Sequence, residues 1–258
     1  MRALFVPEQY REPDGSWMVD LIRRNPLALL SANGPADGPP YATHLPALAD
    51  PEWEGEWGQD LSGGRLIGHM NRANPHWEAL RSGARVVLVF TGPHAYVSPT
   101  LYGTTPAAPT WDFTSVHVQG VLRKIEPAEA GARTLEVCKA TVRALEGEFG
   151  AGWDMTESVD YFRRIVPAVG AFGIEVLRAD GMFKLSQEQR PDIRERVRRD
   201  FAERDSTRHR ETAALMSRLA SAGACPVPQG NGHKVRENGR VAEENDHAAE
   251  AAAADGMH

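Results

Sequence analysis

The stretch RLIGHMNRANPHW, residues 65–77, concentrates side chains that could do chemistry. Its first six residues alternate in the manner of a strand, which places His69 on the face opposite Gly68. Because Gly68 has no side chain, a bulky group could approach the backbone there. An imidazole at the end of a strand is a potential metal ligand or proton carrier, although a histidine in this position more often makes a structural hydrogen bond.

A helix-start signal follows this strand. Asn74 is a good N-cap, Pro75 suits the first helical position, and Gly83 ends the pattern. The N-terminus of such a helix carries partial positive charge, and Arg72 lies between it and His69. An imidazole, a guanidinium and a helix N-terminus together would suit a cofactor that carries carboxylates or a phosphate. The same residues are ordinary as surface and capping groups, so their spacing leaves both interpretations open.

Composition argues against several classes of function. The net charge of −6 and the isoelectric point near 5.9 disfavour general binding to nucleic acid or to an anionic membrane surface. The basic run RERVRR, residues 194–199, is typical of a solvated helix face. Two cysteines, Cys138 and Cys225, with no CxxC motif exclude a disulfide scaffold, a thiolate zinc site and covalently attached c-type haem. The N-terminus has no apolar segment and no apolar run has a membrane-spanning length, so we expect a cytoplasmic protein without membrane contact.

The hydrophobic pattern predicts strands interspersed with helices. Strands are expected over residues 27–33, 41–49, 65–70, 84–90 and 115–125, and a strand–turn–strand unit over 171–185. Helices are expected over residues 16–25, 127–149, 158–166, 191–201 and 207–220. The longest helix should bury a stripe that runs from Leu135 through Cys138 to Phe149.

This order of elements predicts a mainly β protein with peripheral helices, of the α+β class. The architecture we expect is a closed or nearly closed antiparallel barrel. Residues 1–220 would form this domain, with a helical insertion at about 127–166 and helices at its end. Residues 221–258 lack periodic apolar positions and large aromatics, so we expect a disordered tail.

Five stretches, in order, resemble the PaiB-type family of FMN-binding split-barrel proteins, a family also described as negative transcriptional regulators. They are ATHLP (42–46), LIGHMNRANPHW (66–77), FTGPHAYVSPTLY (90–102), APTWDFTSVHVQG (108–120) and MFKLSQEQ (182–189). The resemblance extends over residues 4–200 and implies a dimeric split β-barrel, with FMN as one cofactor that such a barrel holds.

Within this family the sequence is most similar to the piperazate synthases, as seen in ALLSANG (28–34), SPTLYGTTPAAPTWDF (98–113) and FGAGWDMTESVDYF (149–162). This resemblance implies haem b and the conversion of N5-hydroxy-L-ornithine to L-piperazic acid by formation of a nitrogen–nitrogen bond. The histidine of the GHMNRANPHW motif is the axial iron ligand in these enzymes, which corresponds to His69. His76 and His117 are the alternative ligands.

The resemblance also defines tasks for other side chains. Haem propionates, the phosphate of a flavin and the substrate carboxylate all need cationic or N–H partners. The candidates for cofactor binding besides His69 are Thr43, Arg72, Asn74, Lys184, Ser186 and Gln187. The candidates for catalysis are His44 as a proton carrier, and Tyr96 and Ser98 as hydrogen-bond donors to the distal ligand. Each has an ordinary structural role as its alternative, and Cys138 is expected in the core.

Two other functions remain open at this point. One is a PaiB-like oxidoreductase that binds FMN instead of haem. The other is a negative transcriptional regulator, although the acidic net charge and the lack of a helix-turn-helix pattern disfavour direct contact with nucleic acid. A homodimer is the expected assembly.

Overall fold

Six antiparallel strands close into a barrel in the computed structural model, which describes residues 4–125 and 130–223. The strands are β1 (Leu27–Ala32), β2 (Tyr41–Ala49), β3 (Arg65–Asn71), β4 (Ala84–Val97), β5 (Thr110–Lys124) and β6 (Val169–Lys184). Around the barrel their order is β1, β2, β3, β6, β5, β4, and β4 pairs with β1 to close it. The predicted closed antiparallel barrel with peripheral helices is confirmed.

Each α-helix in the described part of the chain lies where the pattern predicts a helix, and the end of α2 differs from the expected one. They are α1 (Gly15–Arg24), α2 (Pro75–Ala79), α3 (Ala130–Phe149), α4 (Val159–Ile165), α5 (Pro191–Glu203) and α6 (Thr207–Ser221). None of the described helices is long and apolar enough to cross a membrane.

Alternation along each strand divides the side chains between the barrel interior and its outer face. In β3, Leu66 and Met70 belong to the main core, whereas Ile67 belongs to a separate apolar cluster. The main core takes buried side chains from all six strands, among them Leu30, Leu45, Leu66, Leu88, Val116 and Phe172. His69 follows the phase of Ile67, so the barrel presents it on the outer face.

Helix α3 covers this part of the outer face. Val137 packs with Leu48 of β2, Ile67 of β3 and Ala171 of β6. The predicted buried stripe is wrong at its end, because Phe149 is 56% exposed. The register of the helix on the barrel instead buries Thr134 and Val137.

Several sequence-based predictions of element boundaries are wrong. Strand β4 continues to Val97, beyond its expected end at residue 90, and β5 begins at Thr110, before the expected residue 115. The expected turn within residues 171–185 does not form, because β6 runs through Asp180 and Gly181 as continuous strand, paired with β5. The strand absorbs its curvature at a register irregularity opposite Gln119 and Gly120. Helix α2 ends at Ala79, before the expected Gly83, with Leu80 already extended.

Parts of the expected domain boundaries lie outside the described residues. These are residues 126–129, at the beginning of the predicted helical insertion, and residues 224–258 of the predicted tail. The insertion is otherwise occupied by α3 and α4, as expected.

Candidate cofactor site

His69 is positioned by the pairing of β3 with β6, where it lies directly opposite Ala171. Its side chain is half-buried, and its Nδ1 atom is buried with no hydrogen-bond partner among the residues that the structure describes. Burial lowers the pKa of the imidazole, because the charged form loses hydration. His69 is therefore neutral near pH 7, which is the protonation state that binds a metal.

Gly68 does not have the role that the sequence indicated. A Cβ atom at this position would lie 2.8 Å from Cζ of Phe172, which is fully buried in the barrel core. The glycine therefore makes room for an aromatic ring inside the barrel. It does not open the outer face beside His69, since neighbouring side chains in a strand point to opposite faces.

Arg72 directly follows β3, three positions after His69 in the chain. Its backbone N–H donates to the carbonyl of Ala168 at 2.9 Å, and its Nε donates to the carbonyl of Val169 at 2.9 Å. The guanidinium carbon lies 5.7 Å from the centre of the Trp77 ring. The two terminal nitrogens have no partner among the described residues, so Arg72 presents an oriented cation beside the strand end that carries His69.

Thr43 and Asn74 are brought together around His76. Asn74 caps α2 as predicted, with its Oδ1 accepting from the His76 backbone N–H at 2.9 Å. Its Nδ2 donates to Thr43 Oγ1 at 3.3 Å, and that oxygen lies 3.0 Å from His76 Nδ1. The His76 ring, 1% exposed, also stacks on Tyr41 with 5.2 Å between centroids. In this arrangement the polar groups of Thr43 and Asn74 orient an imidazole that the sequence offered only as an alternative ligand.

Lys184, Ser186 and Gln187 lie at the other end of β6. Ala171 and Lys184 are thirteen positions apart on this strand, so the structure does not bring these residues together with His69 in one protomer. The Gln187 amide accepts from Leu185 N at 2.6 Å and donates to Phe183 O at 2.5 Å, so it is used within its own turn. Lys184 Nζ donates to Thr110 Oγ1.

Asp112, a buried carboxyl with a raised pKa, is a candidate functional residue that the sequence analysis missed. Its fully buried carboxylate accepts from the backbone N–H of Ser186 at 3.1 Å and from its hydroxyl at 2.7 Å. Ser186 has a positive φ of 59°, a backbone conformation that non-glycine residues seldom adopt. Burial raises the pKa of Asp112 to about 7, and nearby Glu188 adds to the shift. A signal was present in the sequence, since Asp112 falls at an inward-facing position of the run TWDF.

The three candidates for catalysis lie on the surface. His44 is exposed on β2, opposite Leu29 of β1. Tyr96 is 46% exposed at the end of β4, with its ring 5.9 Å from that of Trp111. Ser98 caps the short turn after β4, where its Oγ lies 2.9 Å from Thr100 Oγ1. Tyr96 and Ser98 are therefore near the Lys184 end of the barrel.

The donor set at His69 restricts what this site could hold. No group of three or more His, Cys, Asp or Glu side chains in the described residues could bind a metal ion. One neutral imidazole with a nearby guanidinium instead fits a metal that arrives with its other ligands, as in a macrocycle with carboxylate substituents. Each nitrogen of the ring has one function: if Nε2 binds a metal, Nδ1 is left as a buried N–H.

Curated relatives resemble this chain over different shares of their length. The protease synthase and sporulation protein PAI 2 of Bacillus subtilis is 25% identical over 126 residues, which are 49% of this chain and 56% of that protein. The chain thus spans little more than half of that relative. An uncharacterized protein of Aspergillus fumigatus is 27% identical over 218 residues, covering 70% of this chain and 84% of that protein.

Solved structures with similar folds are more distant. The FAD and heme binding protein from Mycobacterium smegmatis is 15% identical with a TM-score of 0.46, covering 68% of this chain and 73% of that one. The flavocytochrome Anf3 from Azotobacter vinelandii is 14% identical with a TM-score of 0.45, and the match covers 67% of this chain and 69% of that one. A family model described as "Putative FMN-binding domain" matches residues 4–178, more than half of the chain, and the chain therefore belongs to this family of FMN-binding domains.

Proposed function

We propose that this protein is a haem-dependent piperazate synthase that holds haem b through His69. The observation that carries the proposal is a neutral, half-buried imidazole on the outer face of the barrel, whose buried Nδ1 has no partner among the described residues. Arg72 follows three positions later in the chain, directly after β3. The likeness of GHMNRANPHW and its accompanying motifs to the piperazate synthases supports the same assignment.

The proposed reaction converts N5-hydroxy-L-ornithine to L-piperazic acid and water. The N5–O bond breaks, a bond forms between the α-nitrogen and N5, and the hydroxyl leaves as water after taking up a proton. N5 is reduced while the α-nitrogen is oxidised, so the conversion needs no external electron donor or acceptor. Bound haem would supply an iron site that weakens the N–O bond of the hydroxylamine.

In this reaction, the described residues would bind the cofactor and orient the substrate. His69 would provide the protein ligand through one ring nitrogen, and Arg72 would pair with a carboxylate, either a propionate or that of the substrate. A folded conformation of the substrate brings its two nitrogens together, and holding that conformation lowers the entropic part of the barrier. His44 is our candidate for taking the proton that the α-amine must lose before it attacks.

The remaining candidates would have to come from a second protomer. Lys184, Tyr96 and Ser98 lie at the end of the barrel away from His69, so a cofactor bound to His69 would meet them only if a partner subunit supplied them. We therefore propose that the protein acts as a homodimer, as the resemblance implies. Ser186 and Gln187 would support this end of the site by shaping the turn after Lys184.

A flavin-binding oxidoreductase is the second candidate, favoured by the family match over residues 4–178. In that case Arg72 or Lys184 would bind the flavin phosphate, and His69 would contact the ring system without coordinating a metal. The two candidates predict different colours for the purified protein. Haem gives an intense Soret band, whereas FMN gives two weaker bands in the near-ultraviolet and blue.

The decisive experiment replaces His69 with Gly and measures haem content, cyclisation of N5-hydroxy-L-ornithine, and rescue by added imidazole. Loss of an outer-shell partner of a metal ligand costs 10–100-fold in metal affinity or activity, so we expect the loss of the ligand itself to cost at least about 100-fold. Imidazole in the buffer should restore the Soret band, because it can occupy the vacated ligand position. Cys138→Ala is the control, since the cysteine lies on α3, where it is half-buried and belongs to neither apolar cluster.

Several results would contradict the proposal. A wild-type protein with the spectrum of FMN supports the flavin candidate instead. A His69→Gly variant with full haem content and turnover would show that another group holds the iron. A Cys138→Ala variant that loses both haem and turnover would also contradict the proposal, because the cysteine would then be needed to hold the iron.

A further inference from the structure

A second pocket lies beside α2, between the ends of β1, β2 and β4. Its volume is about 190 Å³ and eight residues line it, among them Asn33, Tyr41, His76, Leu80 and Arg85. His69 and Arg72 do not line it. We propose that this pocket binds a small carboxylate between the imidazole of His76 and the guanidinium of Arg85, independently of the cofactor.

The orientation of His76 follows from a chain of hydrogen bonds. Asn74 Oδ1 accepts from the His76 backbone, so the other end of this amide must donate, and Nδ2 faces Thr43 Oγ1. The only acceptor for the proton of the Thr43 hydroxyl among the described residues is His76 Nδ1, 3.0 Å away, so we assign the hydroxyl as the donor to this nitrogen. The His76 proton then lies on Nε2.

This nitrogen is the reason to expect a ligand. His76 Nε2 is buried and has no hydrogen-bond partner among the described residues. The side chain is only 1% exposed, so bulk water does not satisfy this nitrogen either. A buried donor without a partner costs free energy comparable to a lost hydrogen bond. Burial also lowers the pKa of His76, so the ring stays neutral and offers an N–H. The ligand must therefore present an acceptor to Nε2.

The other polar groups of the pocket select an anion. Arg85 is exposed, and its guanidinium makes no hydrogen bond or ion pair with any described residue. None of the eight lining residues is acidic, and Asn33 adds an amide that can donate. An acceptor-only group with one negative charge would satisfy both His76 and Arg85.

Size and charge favour a carboxylate over phosphate. The volume of about 190 Å³ far exceeds the roughly 10–15 Å³ that a single water needs, so the pocket can hold a carboxylate with a short chain. One guanidinium balances one negative charge, whereas phosphate near neutral pH carries more than one. The apolar lining, which includes Ala79, Leu80 and Ala84, suits a short hydrocarbon segment.

The test titrates the purified full-length protein with sodium acetate, at constant ionic strength, while the ring nitrogens of isotope-labelled histidine are followed by NMR. We expect saturable shifts of the His76 nitrogens. Arg85→Ala should weaken acetate binding at least about tenfold, because it removes a charge-assisted hydrogen bond. Arg65→Ala is the matched control, as Arg65 is another exposed arginine without a described partner and lies outside the pocket.

Thr43→Val tests the orienting role of the hydroxyl. The substitution conserves shape, so we expect the fold to persist while the ring nitrogens of His76 report a tautomer with less proton on Nε2. Acetate affinity should then fall about fivefold, the contribution of one hydrogen bond. A variant with unchanged tautomer and affinity would contradict the assigned orientation.

Other outcomes would overturn the proposal itself. These are the absence of any acetate-dependent shift at His76, and an equal loss of affinity in Arg85→Ala and Arg65→Ala. Tighter binding of inorganic phosphate than of acetate would show that the ligand class is wrong. Because the readout is binding at His76, none of these results depends on which cofactor His69 holds.

Discussion

At the scale of single residues, Asp112 couples the folded state to pH. Burial raises its pKa from the ordinary 3.8 to about 7, so between these values the folded carboxyl keeps a proton that the unfolded chain releases. Its contribution to stability is therefore complete below pH 4 and is lost as the pH rises to about 7. His69 and His76 act in the opposite sense, because burial lowers their pKa and they lose stability as the pH falls.

We predict that Asp112→Asn removes this loss. The amide can still accept from the Ser186 backbone, but it cannot ionise. Relative to wild type, the variant should gain free energy of unfolding between pH 5 and pH 8, by about 3 kcal/mol at most. Urea unfolding at both pH values measures the difference, and the comparison with wild type cancels the histidines.

Asp154→Asn is the control for this prediction. Asp154 is exposed, and its hydrogen bond from Thr156 lowers its pKa, so it is ionised throughout this pH range in both states. Replacing Asp154 should not change how the free energy of unfolding depends on pH. Identical pH profiles for wild type and Asp112→Asn would show that the carboxyl is not protonated in the fold.

At the scale of elements, the contact between β3 and β6 depends on the absence of a side chain at Gly68. A methyl group there would lie 2.8 Å from the buried ring of Phe172 and 3.3 Å from the carbonyl of Pro46. Gly170 is constrained in the same way by Trp77. These glycines therefore set how closely the aromatic core can pack against β3, which carries His69, and against its partner β6.

We predict that Gly68→Ala destabilises the protein by about 1–3 kcal/mol through overpacking. Gly173→Ala on β6 is the matched control, because its Cβ would have only a carbonyl oxygen nearby, at 3.9 Å. Denaturant unfolding measures both. If Gly68 instead existed to admit a cofactor, Gly68→Ala would lose the cofactor at unchanged stability, and our packing explanation would be wrong.

At the scale of the whole molecule, one outer face of the barrel exposes apolar side chains. Leu27 of β1 is 61% exposed, and Leu29 lies opposite Val89 of β4, with both partly exposed. Directly paired residues share a face, so these side chains are contiguous. This face continues through His44 on β2, and a second copy of the chain that covers it would bury the apolar groups and approach the expected proton carrier.

We predict that Val89→Glu weakens a homodimer at least about tenfold, since a charge buried in an apolar interface costs more than 1.4 kcal/mol. Light scattering after size exclusion, over a range of concentrations, measures the association. Ile165→Glu is the control, because Ile165 is 41% exposed on α4 and lies away from this face. A monomeric wild type, or a Val89→Glu variant that stays dimeric, would contradict this assignment.

Local pattern was sufficient for much of the architecture. The six strands and the helices were predictable because apolar periodicity and capping residues act over a few positions, as at Asn74 and Pro75. The placement of His69 on the face opposite Gly68 follows from the same period of two. The prediction of a turn at Asp180 and Gly181 was wrong because cross-strand hydrogen bonds to β5 outweighed the local turn propensity.

The sequence by itself determined the barrel class, the placement of His69 on the face opposite Gly68, and the family resemblance. Only the tertiary structure decided which groups meet: Thr43 with His76 across 33 positions, and Asp112 with Ser186 across 74. It also assigned Gly68 to the core and placed Lys184 at the far end of β6. The physical reason is that periodicity records which side of an element is buried, whereas a hydrogen bond or a ring contact depends on the register between strands distant in the chain.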